Sequence, residues 1–333
     1  MKLLVRAPWR PRRLSAVVIA LLTAAAALAG CASAPPVVNQ QAAKQPVTAT
    51  ASDGRGAVRP LPAPTGCTSN VFDSASLRQA LTTAQPGDKV CVAGDLSDTR
   101  LDVRVSGTAQ QRLTIAGDGT ALVKGITVEG DYVTVSGLNA LNPVAPGISL
   151  SGDHLILENS TSISPRGNDG DALRFWGNDI AIRHNTLRDT KNIKAHADCM
   201  QTFATDPDHP ASQNIVIDSN RCEAIANTCL IMEGPHSLAG DGSGVGVSRQ
   251  VIYNNNYCQN QASQALQIDD VQNVTITNNS IVGDTLDHAF ALQNNSTGAK
   301  VSGNKLNPKI AFEVGADDES KAGYQGPPIG GNP

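Results

Sequence analysis

The chain of 333 residues carries 30 acidic against 26 basic side chains, a formal charge of −4. Five of the positive charges, Lys2, Arg6, Arg10, Arg12 and Arg13, stand in a stretch with no acid, so the chain beyond residue 30 is at −9. That acidity excludes nucleic acid as a partner, because phosphate binding needs Lys and Arg to displace counterions; it also disfavours a polyanionic ligand unless a local cation reverses the sign.

An apolar run, Ala16 to Ala29, follows the basic residues and ends in Leu28-Ala29-Gly30-Cys31. A basic region, a short apolar core and small residues make a secretory signal over 1–30, too short for a spanning helix. Leu-Ala-Gly-Cys resembles the bacterial lipobox, which implies lipid acylation of Cys31 and a membrane anchor there. The alternative is a plain secretion signal cut after Ala32-Ser33-Ala34, which Pro35 suits poorly. Either way the expected location is the bacterial cell envelope or the extracellular space. Residues 31–66, rich in Pro, Ala, Gln and Thr, read as a disordered tether.

Ser74 to Ala84 (SASLRQALTTA) has apolar residues near helical spacing, with Ser74 or Ser76 placed to cap it. Gln85-Pro86-Gly87-Asp88 stops it, and Lys89-Val90-Cys91-Val92 reads as a strand. A helix, Pro-Gly-Asp and a short apolar strand resemble the N-terminal cap of right-handed parallel β-helices of the pectin-lyase-like superfamily, which include chondroitinase B and alginate lyases. The resemblance implies an all-β solenoid over 67–312 with a short capping helix, and a carbohydrate-active protein. Physically, the helix would cover the open end of the stack, where the first strand presents unpaired backbone.

Beyond the cap come short β-branched runs at close intervals: Leu113-Thr114-Ile115, Ile126-Thr127-Val128, Tyr132 to Val135, Ile148-Ser149-Leu150 and Leu155-Ile156-Leu157. Gly, Asn and Asp turns separate them, with too little sequence between for crossover helices. Asn185, Asn220, Asn256, Asn279 and Asn304 each follow a strand, spaced 35, 36, 23 and 25 residues apart. Those spacings suit solenoid coils, and the asparagines suit αL turns with amides stacked between coils. Glu313 onward, with 315–333 rich in Gly and Pro, reads as a disordered tail.

Six cysteines remain after Cys31, an even number that favours disulfides in an exported chain. Cys199 and Cys229 hold equivalent positions of successive coils, as do Cys222 and Cys258. Coils about 4.8 Å apart lie within the Cα range that a disulfide accepts. The register therefore predicts Cys199–Cys229 and Cys222–Cys258, leaving Cys67–Cys91 at the cap.

Aligning the strands that start at Asp171, Asp198, Thr228, Gln264 and His288 gives columns. Alternation sends Leu173, Met200, Leu230, Leu266 and Phe290 inward, and Arg174, Gln201, Ile231, Gln267 and Ala291 outward. Trp176, Phe203, Glu233, Asp269 and Gln293 form the next outer column. Three features mark this face as the candidate site. Loops 190–196, 204–212 and 234–248 flank it, as walls would. Trp176 and Phe203 are outward rings in a chain only 3% aromatic, and a ring beside polar groups suits a sugar. Asp169, Asp171, His196 and Asp198 crowd one edge, where charges shift each other's pKa.

The duller readings are turn aspartates, a polar loop histidine, and an Arg174 ion pair with a neighbouring coil. Asp206-Pro207-Asp208-His209 and Asp241-Gly242-Ser243-Gly244 match no complete calcium loop. Two chemistries fit the face. In a lyase, Arg174 or a calcium ion held by Asp169, Asp171 and Asp198 neutralises a uronate carboxylate while Lys194 or His196 takes the α-proton, with Asp198 beside them. In a hydrolase, carboxylate pairs such as Glu233 with Asp269 flank the bond. Trp176, Gln201, Phe203, Glu233, Gln267 and Asp269 are the expected polysaccharide contacts. The expectation is a monomeric polysaccharide lyase, with a glycoside hydrolase or a non-catalytic glycan-binding protein as alternatives.

Overall fold

The computed structural model describes residues 60–191 and 196–333. The signal segment, Cys31, residues 31–59 of the tether and Lys194 lie outside the described residues. After Ser69–Val71 comes the helix Ser74–Thr83, which buries Leu77 and Ala80 against the first coils. Asp73, not Ser74 or Ser76, is the N-cap: its carboxylate accepts from the Ser76 backbone N–H at 2.7 Å while the Ser76 side chain returns to the Asp73 N–H. A carboxylate at this position satisfies an orphan donor and favours the positive end of the helix dipole.

The remaining strands stack in three parallel columns. One column runs through Ile148–Ser151, Leu173–Trp176, Met200–Phe203, Leu230–Glu233, Leu266–Asp269, His288–Gln293 and Phe312–Ala316. The second includes Ile156–Glu158, Ala181–Arg183, Gln213–Asp218, Ser248–Asn254, Val271–Thr277 and Lys300–Ser302. Thr161–Ile163, Thr186–Arg188, Arg221–Ile225, Tyr257–Asn260, Ser280–Val282 and Lys305–Leu306 form the third. Each coil contributes one strand to each column, which is a parallel β-helix. Its core is the space between the columns, filled by the inward rows: Leu173, Met200, Leu230, Leu266 and Phe290 are all fully buried. Strands with one face inward and one outward need the alternation that the sequence shows.

The asparagine ladder is continuous. Asn220 Oδ1 accepts from the Asn185 backbone N–H and Nδ2, both at 3.0 Å. Asn256 does the same for Asn220, Asn279 for Asn256, and Asn304 for Asn279. The left-handed residue of each turn is the one before the ladder position: His184, Ser219, Asn255, Asn278 and Gly303 have φ between 55° and 69°. The amide is thus selected for stacking, and its predecessor absorbs the turn.

Two of the expected disulfides are corrected. Cys67 pairs with Cys91, but Cys199 pairs with Cys222 and Cys229 with Cys258, at Cα separations of 5.8 and 5.9 Å. Cys199 and Cys222 belong to one coil, at the start of one strand and in the third column. In-register neighbours such as Cys222 and Cys258 point their Cβ atoms in parallel. Two inward cysteines from different columns of one coil point toward each other where the core narrows, and a disulfide needs converging Cβ vectors. The bridges therefore cross the interior instead of climbing the stack.

The expected disordered tail is also corrected. Phe312–Ala316 is a strand on the last coil. The following segment pairs back on the same edge, with Gln325 beside Lys300 and Ile329 beside Val314. It supplies partners that the backbone of the last coil would otherwise lack.

Candidate active site on the outer face

The column through Leu173–Trp176 to His288–Gln293 presents the predicted outer rows. Arg174 is in register with Gln201, which pairs with Ile231, then Gln267 and Ala291. Phe203, Glu233, Asp269 and Gln293 are likewise successive partners. Gln201 is only 5% exposed, and its Oε1 has no hydrogen-bond partner among the described residues. Gln267 Oε1 accepts from Gln264 Nε2 at 3.2 Å.

At the edge of these strands two buried aspartates organise the charges. Asp171 Oδ1 accepts the Asp198 backbone N–H at 2.8 Å, and its Oδ2 accepts from Arg174 Nε at 2.7 Å. The same guanidinium also bonds Asp169. Arg174 is thus paired within its own coil, not with a neighbouring one. Asp198 Oδ1 accepts from the backbone N–H and hydroxyl of Thr228 and from Asn227 Nδ2, at 2.7 to 2.9 Å. Its other oxygen accepts from His196 Nδ1 at 2.9 Å. Burial and the nearby Asp198 charge raise the Asp171 pKa against the pull of these bonds.

The bond to Asp198 raises His196 from 6.5 to about 9, opposed by burial and aided by the Asp198, Asp171 and Asp169 charges. His196 is therefore an imidazolium at neutral pH, and its ring stands half exposed at the edge of the face. The folded state holds this proton more tightly than the unfolded chain. Its stabilisation is complete below pH 6.5 and is lost as pH rises through about 9. The melting temperature is expected to fall across that window, and His196→Ala to flatten the fall. A slope identical in both proteins would contradict the assignment.

Glu233 lies four residues beyond Cys229 on the next coil and feels the charges of His196, Asp198 and Arg174. Burial, then the adjacent Asp269 charge, lifts its pKa from 4.5 to about 7. Asp269 is also raised, chiefly by burial, and is held by Asn294 Nδ2 at 2.7 Å, Gln293 Nε2 at 3.0 Å and the Leu238 backbone N–H. The Leu238 contact brings loop 234–247 over this carboxylate. One acid that changes state near neutrality, beside a second fixed by amides, is an arrangement suited to proton transfer.

A ring cluster borders the charges. Trp176 meets Phe203 edge-on at 5.2 Å, and Trp176 Nε1 donates to the Phe203 carbonyl at 3.1 Å. His209, from loop 204–212, lies 4.5 Å from the Phe203 ring and 5.2 Å from Trp176. Asp206 holds His209 through Nδ1 at 2.7 Å, so the Asp206–His209 stretch braces the rings.

A sequence model of the right-handed beta helix region matches residues 124–307, more than half of the chain. The chain belongs to the right-handed β-helix family. An alginate lyase from Paenibacillus sp. str. FPU-7 is 18% identical at a TM-score of 0.53, over 80% of this chain and all of that chain. The PL6 family alginate lyase AlyGC is 14% identical at 0.49, over 74% of this chain and 40% of its own. A GH136 lacto-N-biosidase from Eubacterium ramulus is 13% identical at 0.42, over 77% and 67%. No curated protein matches the sequence. At such identities the likeness is one of fold, and the chemistry of this β-helix rests on its own side chains.

Of the residues expected at the site, the β-helix gathers Arg174, Asp169, Asp171, His196 and Asp198 into one cluster and places Glu233 and Asp269 in the column beside it. The expected metal set is changed in membership. Asp171, His196 and Asp198 bring ligand atoms to within 4.8 Å of one another, whereas the Asp169 carboxylate is turned to Arg174. That spacing is compatible with a cation. The oxygens are, however, already engaged by Arg174, His196 and backbone or amide donors, and calcium asks for six to eight oxygens. A metal there would have to displace the Arg174 and His196 contacts. The sequence marks Glu233 as a sugar contact and as one of a hydrolase's carboxylate pair with Asp269, not as a lyase base, and it does not mark His209 as part of the aromatic wall. No local motif marks either, since burial and a loop fold create both roles.

Proposed function

We propose that this protein is an exported polysaccharide lyase that binds a uronate-containing polysaccharide across the outer face of its coils. The observation that carries the reading is the meeting of two cations, Arg174 and the half-exposed His196, with an acid poised near neutrality, Glu233, on one face. β-Elimination needs the uronate carboxylate neutralised, the α-proton removed and the leaving oxygen protonated. The imidazolium of His196, with Arg174 behind it, pairs with the carboxylate. Ionised Glu233 takes the α-proton, the new C=C forms, the β C–O bond breaks, and the leaving oxygen gains a proton from His196 or water. Among the residues first expected as the base, His196 carries the wrong charge at neutral pH and becomes the neutraliser. Trp176, Phe203 and His209 offer the apolar wall for a sugar ring. The FPU-7 relative, an alginate lyase, is consistent with this class of substrate. Anchoring through Cys31 and an envelope location belong to the same proposal.

A glycoside hydrolase is the second reading, favoured by Glu233 and Asp269 standing side by side on adjacent coils with raised pKa values. The test follows absorbance of unsaturated uronate and reducing ends together on acidic and neutral polysaccharides, with calcium and with a chelator. The lyase reading expects both signals on a uronate polymer, with activity that survives chelation. Reducing ends alone would replace the lyase by the hydrolase. Loss on chelation, restored by calcium, would move neutralisation to a metal at Asp171, His196 and Asp198.

A further inference from the structure

Asp269 and Asp270 are adjacent, yet their side chains do different things. Asp269 stands in the outer row beside Glu233. Asp270 turns the chain, with φ at 56°, and its carboxylate, in a residue only 6% exposed, meets the start of loop 234–247. Its Oδ2 accepts the His236 backbone N–H at 2.7 Å and the ring Nδ1 at 3.3 Å, while Oδ1 accepts from Gln272 Nε2 at 3.2 Å. Gly234 presses on the same residue: a Cβ there would stand 1.9 Å from the Asp270 carbonyl oxygen and 2.6 Å from Oδ2. Only glycine leaves room for this approach. The Ser237 N–H closes the turn on the Gly234 carbonyl at 3.1 Å. The next residue, Leu238, gives its N–H to Asp269.

The loop leaves Glu233 directly and is back at the Asp269 carboxylate by Leu238, so its first turn encloses the space between the two acids. Its far part leans on the neighbouring loop, where a Cβ on Gly244 would stand 2.1 Å from the Ala204 carbonyl oxygen. That neighbour carries His209 and so joins the ring wall. The His236 side chain is 73% exposed, and water can replace its long bond to Asp270. The short backbone bond to a buried, charged acceptor is the firmer hold on the turn.

We propose that Asp270 is the positioning residue of this site: by gripping the first turn of loop 234–247 it sets the Leu238 N–H on Asp269 and closes the loop over Glu233. The inference rests on the reading that places Glu233 in the reaction, but the contact itself does not depend on which bond is broken. Releasing the loop takes a donor from Asp269, which then keeps its proton to higher pH and no longer repels a charge on Glu233. It also lets water reach Glu233. Both changes lower the Glu233 pKa, while the charges of His196, Asp198 and Arg174 that also act on it stay in place.

The experiment compares the full chain with Asp270→Gly, Asp270→Asn and His236→Ala. Glycine keeps the φ of 56° and the backbone bond to the Gln293 carbonyl at 3.0 Å, so the turn survives without the carboxylate. Asparagine keeps an oxygen for the His236 N–H, and His236→Ala keeps that N–H. Amide hydrogen exchange at Leu238 and the carbon-13 titration of the Glu233 carboxyl are read together, with Glu233→Gln assigning the signal. In Asp270→Gly the Leu238 N–H is expected to exchange about tenfold faster. The Glu233 titration, and with it the acidic limb of kcat/KM, should move down from about pH 7 by about one pH unit. Asp270→Asn and His236→Ala should stay close to the original protein in both readouts. An unchanged Glu233 titration in Asp270→Gly, or an equal shift in His236→Ala, would overturn the role. The titration needs no turnover, so the expected shift in a chain that cleaves no uronate polymer upholds the loop contact and removes the lyase reading alone.

Discussion

Glu233→Gln is expected to lower kcat for elimination by about 10²- to 10⁴-fold, the usual contribution of a positioned base, while oligosaccharide binding is retained. The amide keeps the size of the carboxylate and its place beside Asp269, but cannot accept the α-proton. The same substitution has a second consequence of opposite sign for stability. Because the Glu233 pKa rises from 4.5 to about 7 on folding, the folded state binds more protons than the unfolded chain between those values. This side chain therefore lowers stability as pH climbs through that window. Glu233→Gln removes the loss, so the inactive protein should melt higher than the original at pH 8 and no higher at pH 4. Kinetics and melting curves on one variant check both signs. Unchanged kcat would withdraw Glu233 from the reaction.

Asn256→Ala should be the most damaging single change in the solenoid. Asn256 Oδ1 accepts both the backbone N–H and the Nδ2 of Asn220, and its Nδ2 donates to the Ile217 carbonyl at 2.9 Å and to Asn279. It is 1% exposed, so water cannot replace these bonds. Each orphaned buried group costs about 1–3 kcal/mol. With several orphaned at once the loss is roughly 3–6 kcal/mol, a large part of the roughly 5–15 kcal/mol that a domain has. Thermal unfolding should shift down by roughly 10 °C or more. Asn304→Ala, at the partly buried end of the ladder, should cost less. Equal, small shifts for the two would mean that the amides do not act as a continuous ladder.

The solenoid was legible because its signals repeat. Leu173, Met200, Leu230, Leu266 and Phe290 share one inward position in successive coils, and the ladder asparagines recur after the same strand. Each copy checks the others. Features that occur once were harder to read. Cys199 chose Cys222 instead of Cys229 because Cβ direction within a coil, which spacing does not encode, decides between two partners at similar distance. The C-terminal segment has the Gly and Pro content of a tail, yet the unpaired edge of the last coil holds it by backbone bonds that depend little on side chains. At the site, the Asp169–Asp171–Arg174 and His196–Asp198 edge could be seen from strand alignment. Glu233 as the group that titrates near neutrality could not, since its pKa comes from burial and from Asp269 on another coil. His209 reached the ring cluster through a loop whose path no periodic pattern describes.

The most direct measurement is kcat/KM for elimination as a function of pH, followed by the unsaturated-uronate absorbance. The free protein must have Glu233 ionised and His196 protonated at once, so the rate should rise through about pH 7 and fall through about pH 9. The alkaline limb should disappear in His196→Arg, which keeps a positive charge at all these pH values. A rate that instead falls as pH rises through 7 would make Glu233 a proton donor, and the elimination mechanism would be wrong.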